Sequence, residues 1–264
     1  MALGRSRRSC GVTRLLILGG TAEAVALAEA CAARSALEVI SSLAGRTRTP
    51  TRPPGEVRSG GFGGVEGLAR FLVERAVDRV VDATHPFALQ IGAHAEQACR
   101  EVGVARLRLL RPPWQPEPGD RWIDVADLAE AACRLPRLGR RAFLTVGQRD
   151  LQAFAGLNLW LLVRTIEPPG PSPLRRAEWI AGRGPFAVED EIALLRAHGI
   201  EVLVTKASGG KATYAKLVAA RRLGLPVVMV RRPPPPPGPV VDTVEAALAW
   251  LERPAHSPGA GRST

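Results

Sequence analysis

Arg79-Val80-Val81-Asp82-Ala83-Thr84-His85-Pro86-Phe87 carries an apolar strand straight into a polar elbow and then towards a helix. Val80 and Val81 read as a buried parallel strand, Pro86 suits the first position of a helix, and Thr84 or His85 can cap it. Asp82, Thr84 and His85 then stand at the carboxyl end of a sheet, where α/β folds gather their functional side chains. The plain alternative is a capped helix beside a surface histidine.

Two further elbows repeat the pattern. Leu15-Leu16-Ile17-Leu18 ends in Gly19-Gly20-Thr21-Ala22-Glu23, after which Ala24, Leu27, Ala28 and Cys31 recur at helical spacing. Glycines let backbone approach a phosphate, and the following helix start supplies unpaired N–H groups. No third glycine completes the dinucleotide fingerprint, so a tight turn without ligand is the competing reading. The third elbow is Val202-Leu203-Val204-Thr205-Lys206-Ala207-Ser208-Gly209-Gly210-Lys211-Ala212-Thr213-Tyr214-Ala215-Lys216. It holds the only lysines, three against 33 arginines, and the sole tyrosine. Lys206, beside Ser208-Gly209-Gly210, is the compact cation suited to a phosphate or carboxylate, whereas Lys211 and Lys216 fit solvated helix positions, at least one of them being so.

Strand and helix patterns alternate through 14–18, 22–33, 37–42, 65–76, 79–82, 87–102 and 106–110. A Pro-rich stretch, Arg111 to Gly119, then breaks the rhythm, and strands resume near 121–124, 141–146, 159–163, 201–205 and 226–230. Alternation of this kind predicts an α/β protein with two doubly wound, Rossmann-like parallel-sheet domains facing a central cleft. The expected division is 14–113 and 114–252, with 1–13 and 253–264 as disordered tails. Pro233 to Pro237 reads as an extended connector to the last helix.

With 46% hydrophobic residues in 264, the chain can bury a substantial core. No apolar run approaches the roughly 20 residues needed to cross a bilayer, and the basic amino end has no signal-peptide core. Cys10, Cys31, Cys99 and Cys133 lack metal-ligand spacing, so a cytoplasmic protein with reduced thiols and no bound metal is expected. The net charge of +11 is spread along the chain without a nucleic-acid motif; it suits a small polyanion better than RNA or DNA. A short-chain dehydrogenase or nucleotide-sugar epimerase would need Tyr-x-x-x-Lys, and Tyr214-Ala215-Lys216 lacks that spacing. A non-enzymatic nucleotide- or RNA-binding module is favoured only by charge.

From about Arg14 to Leu251 the chain resembles the precorrin-6A and cobalt-precorrin-6A reductases of cobalamin biosynthesis. The resemblance rests on Leu18-Gly19-Gly20-Thr21-Ala22-Glu23-Ala24, Ser42-Leu43-Ala44-Gly45-Arg46-Thr47, Gly60-Gly61-Phe62-Gly63-Gly64, Asp82-Ala83-Thr84-His85-Pro86-Phe87-Ala88, Gly184-Pro185-Phe186 and Thr205-Lys206-Ala207-Ser208-Gly209-Gly210, in that order. Ala22 and Ala207 depart from it, standing where the family often has a polar residue. The resemblance implies hydride transfer from a reduced nicotinamide, NADPH or else NADH, to C19 of a tetrapyrrole, with a proton delivered to C18. Such chemistry asks for orientation and pinned carboxylates more than for a nucleophile.

Within that scheme Gly19, Gly20, Thr21, Glu23, Ser42, Arg46, Lys206, Ser208, Gly209 and Gly210 are the expected cofactor set, some of them shared with substrate carboxylates. Arg46, following the second strand, is placed to take a 2′-phosphate, or is a loop cation beside Arg48 and Arg52. Gly61, Phe62 and Gly63 form an expected mobile flap with Phe62 stacking on the macrocycle. Asp82, Thr84 and Phe87 line the substrate, and His85 is the expected catalytic residue, either hydrogen-bonding a carboxylate or relaying the proton. His94 reads as structural and His198 as a helix-end residue.

Overall fold

The computed structural model describes residues 12–45, 52–166 and 171–253. In chain order the elements are β1 (Thr13–Leu18), α1 (Ala22–Ala32), β2 (Leu37–Leu43), β3 (Glu56–Ser59), α2 (Gly64–Glu74), β4 (Arg79–Asp82), α3 (Leu89–Val102), β5 (Ala105–Leu109), β6 (Arg121–Val125), α4 (Leu128–Arg134), β7 (Arg141–Thr145), β8 (Trp160–Thr165), β9 (Ala177–Ala181), α5 (Val188–Ala197), β10 (Val202–Lys206), α6 (Ala215–Arg222), β11 (Pro226–Val230), β12 (Val240–Val241) and α7 (Val244–Glu252). They form two six-stranded sheets, β12-β5-β4-β1-β2-β3 and β6-β11-β10-β7-β8-β9, and every strand pair is parallel. The predicted pair of doubly wound α/β sheets is what the chain forms.

The apolar runs explain why the first sheet is covered on both faces. Leu15 and Ile17 point to one side, packing with Leu27, Ala28 and Cys31 of α1 and Ala247 and Leu251 of α7; Leu16 and Leu18 point to the other, against Leu68 and Leu72 of α2 and Ala95 and Ala98 of α3. Val81 and Val80 divide in the same way. A strand apolar at every position is stable only when both faces are buried.

Chain order and sheet order part company between β1 and β4. The chain winds outward through β1, β2 and β3, then crosses back to β4 and β5, so the elbows after β1 and β4 lie side by side at the switch point. The second sheet repeats this topology, except that one edge strand comes first in its unit rather than last. There β7 takes the place of β1, β10 that of β4, and β6 that of the edge strand β12.

The division of the chain differs from the expected one. One unit comprises residues up to Arg111 together with Pro234 onward, and the other is the continuous stretch Pro112–Pro233. The break near 111 lies close to the predicted linker, but the last segment does not stay with the second sheet. Val240 and Val241 pair with Arg108 and Leu109 of β5, and α7 packs on α1. This corrects the expected 114–252 domain: the exposed lower edge of β5 and the apolar face of α1 need a cover, and β12 and α7 supply it. The tail boundaries also move slightly, because Thr13 is already in β1 and Arg253 caps α7. Residues 1–11 and 254–264, including Cys10 and His256, lie outside the described residues.

Burial sets the thiols apart. Cys31 and Cys99 lie in the core, and burial pushes them up to about 11 and about 12 respectively, so both are inert thiols. Among the described residues no helix is long and apolar enough to cross a membrane, and no three His, Cys, Asp or Glu side chains cluster as metal ligands would.

Candidate functional site

Register lines up the first unit's polar side chains. Arg108 of β5, Asp82 of β4, Leu18 of β1, Ser42 of β2 and Arg58 of β3 are successive Cα partners across the sheet. Parallel partners point to the same face, so all five share the α2/α3 side at the carboxyl edge. Two ion and hydrogen-bond pairs follow from that row, Arg108 with Asp82 and Arg58 with Ser42.

The β1 elbow is built for close approach. Gly20 has φ +112° with open space where a Cβ would stand, a conformation that favours glycine. Thr21 caps α1: its Oγ1 accepts from the Ala24 N–H at 3.2 Å and donates to the Ala83 carbonyl at 2.7 Å, tying the β1 elbow to the β4 elbow. The N–H groups of Ala22 and Glu23 in the first turn of α1 have no intrahelical acceptor and carry the positive end of the helix dipole. Glu23 forms an ion pair with Arg111 at 2.7 Å. Thr21, Glu23, Thr84, Pro86 and Arg111 border a shallow, open recess. The geometry fits a dinucleotide's phosphates: a glycine cradle without side chains, followed by a helix start.

At the β4 elbow Asp82 is completely buried. Its Oδ1 accepts from the Thr84 N–H (3.1 Å), the Thr84 hydroxyl (2.8 Å) and Arg108 Nη1. Arg108 also donates to Thr84 Oγ1 at 2.8 Å and reaches the Thr84 and His85 carbonyls at 3.1 and 3.4 Å. Asp82 and Thr84, expected to line the substrate, brace the elbow from within through these bonds. The Phe87 N–H donates to His85 Nδ1 at 3.3 Å, and the Ala88 N–H donates to the His85 carbonyl at 2.8 Å. That turn corrects the expected start of α3. Pro86 occupies the second position of a turn, where its fixed φ fits, and the helix begins at Leu89 with neither Thr84 nor His85 as its cap.

The Gly60–Gly64 loop is anchored by Arg58, which the sequence reading did not single out. Its guanidinium donates to Ser42 Oγ (2.7 Å) and to the Gly60 and Gly61 carbonyls (3.1 and 2.9 Å), and lies 3.8 Å from the Phe62 ring centre. Phe62 meets Phe71 edge to face at 5.2 Å and packs on the core under α2. The Phe62 carbonyl comes so close to Gly67 that an added Cβ would sit 1.7 Å from it. One face of Phe62 is covered by Arg58 and its edge meets Phe71, which ties the loop to α2 while the ring stays half-buried. Ser42 stands at the end of β2 with a cation beside it, although that cation is Arg58. Arg46 and Arg48 lie outside the described residues.

In the second unit, the β7 and β10 elbows meet at the equivalent switch point. Lys206 Nζ pairs with Asp150 Oδ2 at 2.6 Å, and that oxygen also accepts from the Gly147 N–H at 2.9 Å. Gly209 and Gly210 have φ +68° and +83°, and a Cβ on Gly209 would collide with the Pro112 carbonyl at 2.1 Å. Arg232 takes the Ala207 and Ser208 carbonyls (3.2 and 3.0 Å), and Trp114 Nε1 takes that of Gly210 (2.8 Å). Asp150, Arg232 and Trp114 were missed in the sequence. Asp150 had a readable signal, because Gly147-Gln148-Arg149-Asp150 follows a predicted strand just as the other elbows do.

Of the remaining lysines, Lys211 is exposed and Lys216 is 6% exposed in the first turn of α6, 5.4 Å from the Trp114 ring centre. Burial pulls its amine down to about 7, opposed by the Glu191 carboxylate and assisted by Arg164. Glu191, also buried, pairs with Arg164 at 2.6 Å. Away from the elbows, His94 is half-buried on α3, and His198 is the C-cap of α5, stacked on Trp160.

Comparison with known proteins places the chain. The family described as "Precorrin-6x reductase CbiJ/CobK" matches residues 14–252. The chain is 54% identical over 242 residues to the precorrin-6A reductase of Rhodococcus erythropolis, covering 91% of this chain and 98% of that protein. Against the Mycobacterium tuberculosis precorrin-6A reductase it is 49% identical, with the same coverage. Identity to the cobalt-precorrin-6A reductase of Priestia megaterium is 32% over 204 residues, covering 73% and 80% of the two chains. A solved structure described as "CobK precorrin-6A reductase" superposes with a TM-score of 0.86 at 45% identity, covering 91% of this chain and 96% of that one.

Proposed function

The chain belongs to the precorrin-6x reductase family and is an oxidoreductase of cobalamin biosynthesis, a precorrin-6A reductase; we propose that its hydride donor is NADPH and that the switch-point elbows hold donor and macrocycle. The observation that carries this reading is the junction of the β1 and β4 elbows through Thr21 and Ala83. It ties the glycine turn to the elbow that carries His85.

When bound, the reduced nicotinamide supplies the hydride. Gly20, Thr21 and the first amides of α1 receive the dinucleotide phosphates through backbone N–H groups, while the Gly19 N–H is held by the Ser42 carbonyl and fixes the turn. Arg58, next to Ser42 at the end of β2, occupies the position from which doubly wound folds read the ribose, and a cation there favours a 2′-phosphate. Lys206, Ser208 and the Gly209-Gly210 amides make the second unit's elbow a separate anion-binding turn, with Asp150 holding the Lys206 ammonium in place.

An imidazole whose Nδ1 accepts from a backbone N–H carries its own proton on Nε2. His85 therefore presents its Nε2–H as a hydrogen-bond donor, suited to a carboxylate of the macrocycle. Most of the rate comes from orientation, in keeping with a site of cations and amide donors. The higher identity to precorrin-6A than to cobalt-precorrin-6A reductases supports a metal-free ring as substrate.

The test is to mix the protein with NADPH and precorrin-6A and to follow the macrocycle's absorption band together with the absorbance of the reduced nicotinamide. Stoichiometric loss of both is expected. Loss of neither, with salt-sensitive retention of RNA by the same preparation, would overturn the reading in favour of a nucleic-acid-binding module.

A further inference from the structure

We propose that Arg108 is a positioning residue for His85, acting through the buried Asp82–Thr84 network to hold the His85 backbone in its donor orientation. The inference rests on the reading of His85 as the donor in the first unit.

The argument begins with an imbalance. Asp82 and Arg108 are both buried, their side chains 0% and 4% exposed, yet each keeps an unused polar atom. Asp82 Oδ2 and Arg108 Nε have no hydrogen-bond partner among the described residues. Burying two charges costs more solvation than an incompletely bonded pair returns, and an apolar pair of the same volume would serve the core at least as well. Stability alone is a poor reason for this pair to stand at the carboxyl edge.

Its geometry offers a better reason. Arg108 is the register partner of Asp82, so the sheet itself sets the separation of the two groups. From that anchor the guanidinium spreads over the elbow, donating to Thr84 Oγ1, the Thr84 carbonyl and the His85 carbonyl. The bonded hydroxyl of Thr84 closes the triangle on Asp82. Only a planar, multiply donating cation can span a carboxylate, a hydroxyl and two carbonyls at once; a lysine ammonium in the same place would keep the charge and lose the span.

The surroundings fit this role too. Gly92 of α3 presents no side chain to Asp82 Oδ2, since an added Cβ would stand 3.4 Å from that oxygen and 3.3 Å from Pro236 Cγ. The returning chain before β12 is fastened alongside: the Arg108 N–H donates to the Pro239 carbonyl at 2.9 Å, and Arg106 Nη2 donates to the Pro237 carbonyl at 2.5 Å. Strand, helix and returning segment therefore all converge on a pair whose side-chain hydrogen bonds run to one another and to the elbow carrying His85.

A double-mutant cycle on turnover with NADPH and precorrin-6A provides the test, with NADPH affinity measured alongside. Arg108→Lys should lower kcat by on the order of tenfold to a hundredfold, the cost of a misplaced catalytic group, while NADPH Kd stays within about twofold. Thr84→Val, which removes one hydroxyl without altering shape, should do the same more mildly and guards against misfolding of the arginine variant. In His85→Ala, adding either substitution should lower kcat no further, because the group being positioned is gone. Additive losses, or an equal fall in NADPH affinity, would overturn the proposal. Full turnover in His85→Ala alone would instead defeat the donor role of His85, a separate failure that this cycle reads directly.

Discussion

Replacing Lys216 by methionine should stabilise the second unit at neutral pH and remove a pH dependence that the wild-type chain carries. Lys216 is buried in the first turn of α6, with its amine pulled down from 10.5 to about 7. In the unfolded chain that amine is ordinary. Between pH about 7 and 10.5 the unfolded state therefore binds more protons than the folded one, and stability rises with pH across that window. Read downward, stability is greatest above 10.5 and is lost as pH falls towards 7, below which both states are protonated and the loss is complete. At about 1.4 kcal/mol per pH unit, the full penalty on the ionised lysine is on the order of 4–5 kcal/mol. Methionine has a similar length and carries no charge, so it escapes the penalty. Urea denaturation followed by tryptophan fluorescence reads the right unit, since Trp114, Trp122, Trp160 and Trp179 all belong to it. The variant should be more stable than wild type at pH 6.5, and the gap should close steadily up to pH 9.5. Parallel stability curves over that range, or a wild type more stable at the acid end, would refute the reasoning.

Three other outcomes can be checked. His85→Ala should lose turnover on the order of 10², with little change in NADPH affinity, as measured by steady-state kinetics and fluorescence titration. Arg58→Ala should weaken NADPH binding by about 1.5–3 kcal/mol and leave NADH nearly untouched, whereas equal weakening of both would move Arg58 away from the 2′-phosphate. Gly209→Ala should cost the β10 elbow its geometry, because a Cβ must displace the Pro112 carbonyl as well as adopt positive φ; thermal unfolding should shift downwards, and an unchanged midpoint would show that the loop relaxes freely.

The parts of the fold that could be read in advance were those whose signal is local. Leu15–Leu18 and Val80–Val81 are apolar at successive positions because both sheet faces are covered, and each is followed by residues with turn or capping chemistry. β12 has two residues and no periodicity, and its place beside β5 depends on pairing across more than 130 positions. β3 and β9 are edge strands with polar, half-exposed positions, and so lack the apolar run that marks a buried strand. At the site, the glycine elbows were legible from backbone requirements. The partners of their side chains were not, because Arg108 with Asp82 and Arg58 with Ser42 are chosen by sheet register rather than by neighbourhood in the sequence. The neighbours of Phe62 were hidden for a related reason: Arg58 and Phe71 meet it through the fold of β3 and α2, not through the glycine loop's own sequence.

The return of the chain to the first sheet orders events on the ribosome. Residues 12–111 emerge first but lack β12 and α7, so the faces of α1 and β5 that Leu251, Ala247 and Val241 later cover remain open to water. The second unit is continuous and needs nothing made after Pro233. At 5–20 residues per second, the amino-terminal segment waits roughly 6–25 s while the intervening unit is synthesised. The part of the protein made first is thus completed last, and translation pausing or early termination after Pro233 would release a finished second unit joined to an unfinished first.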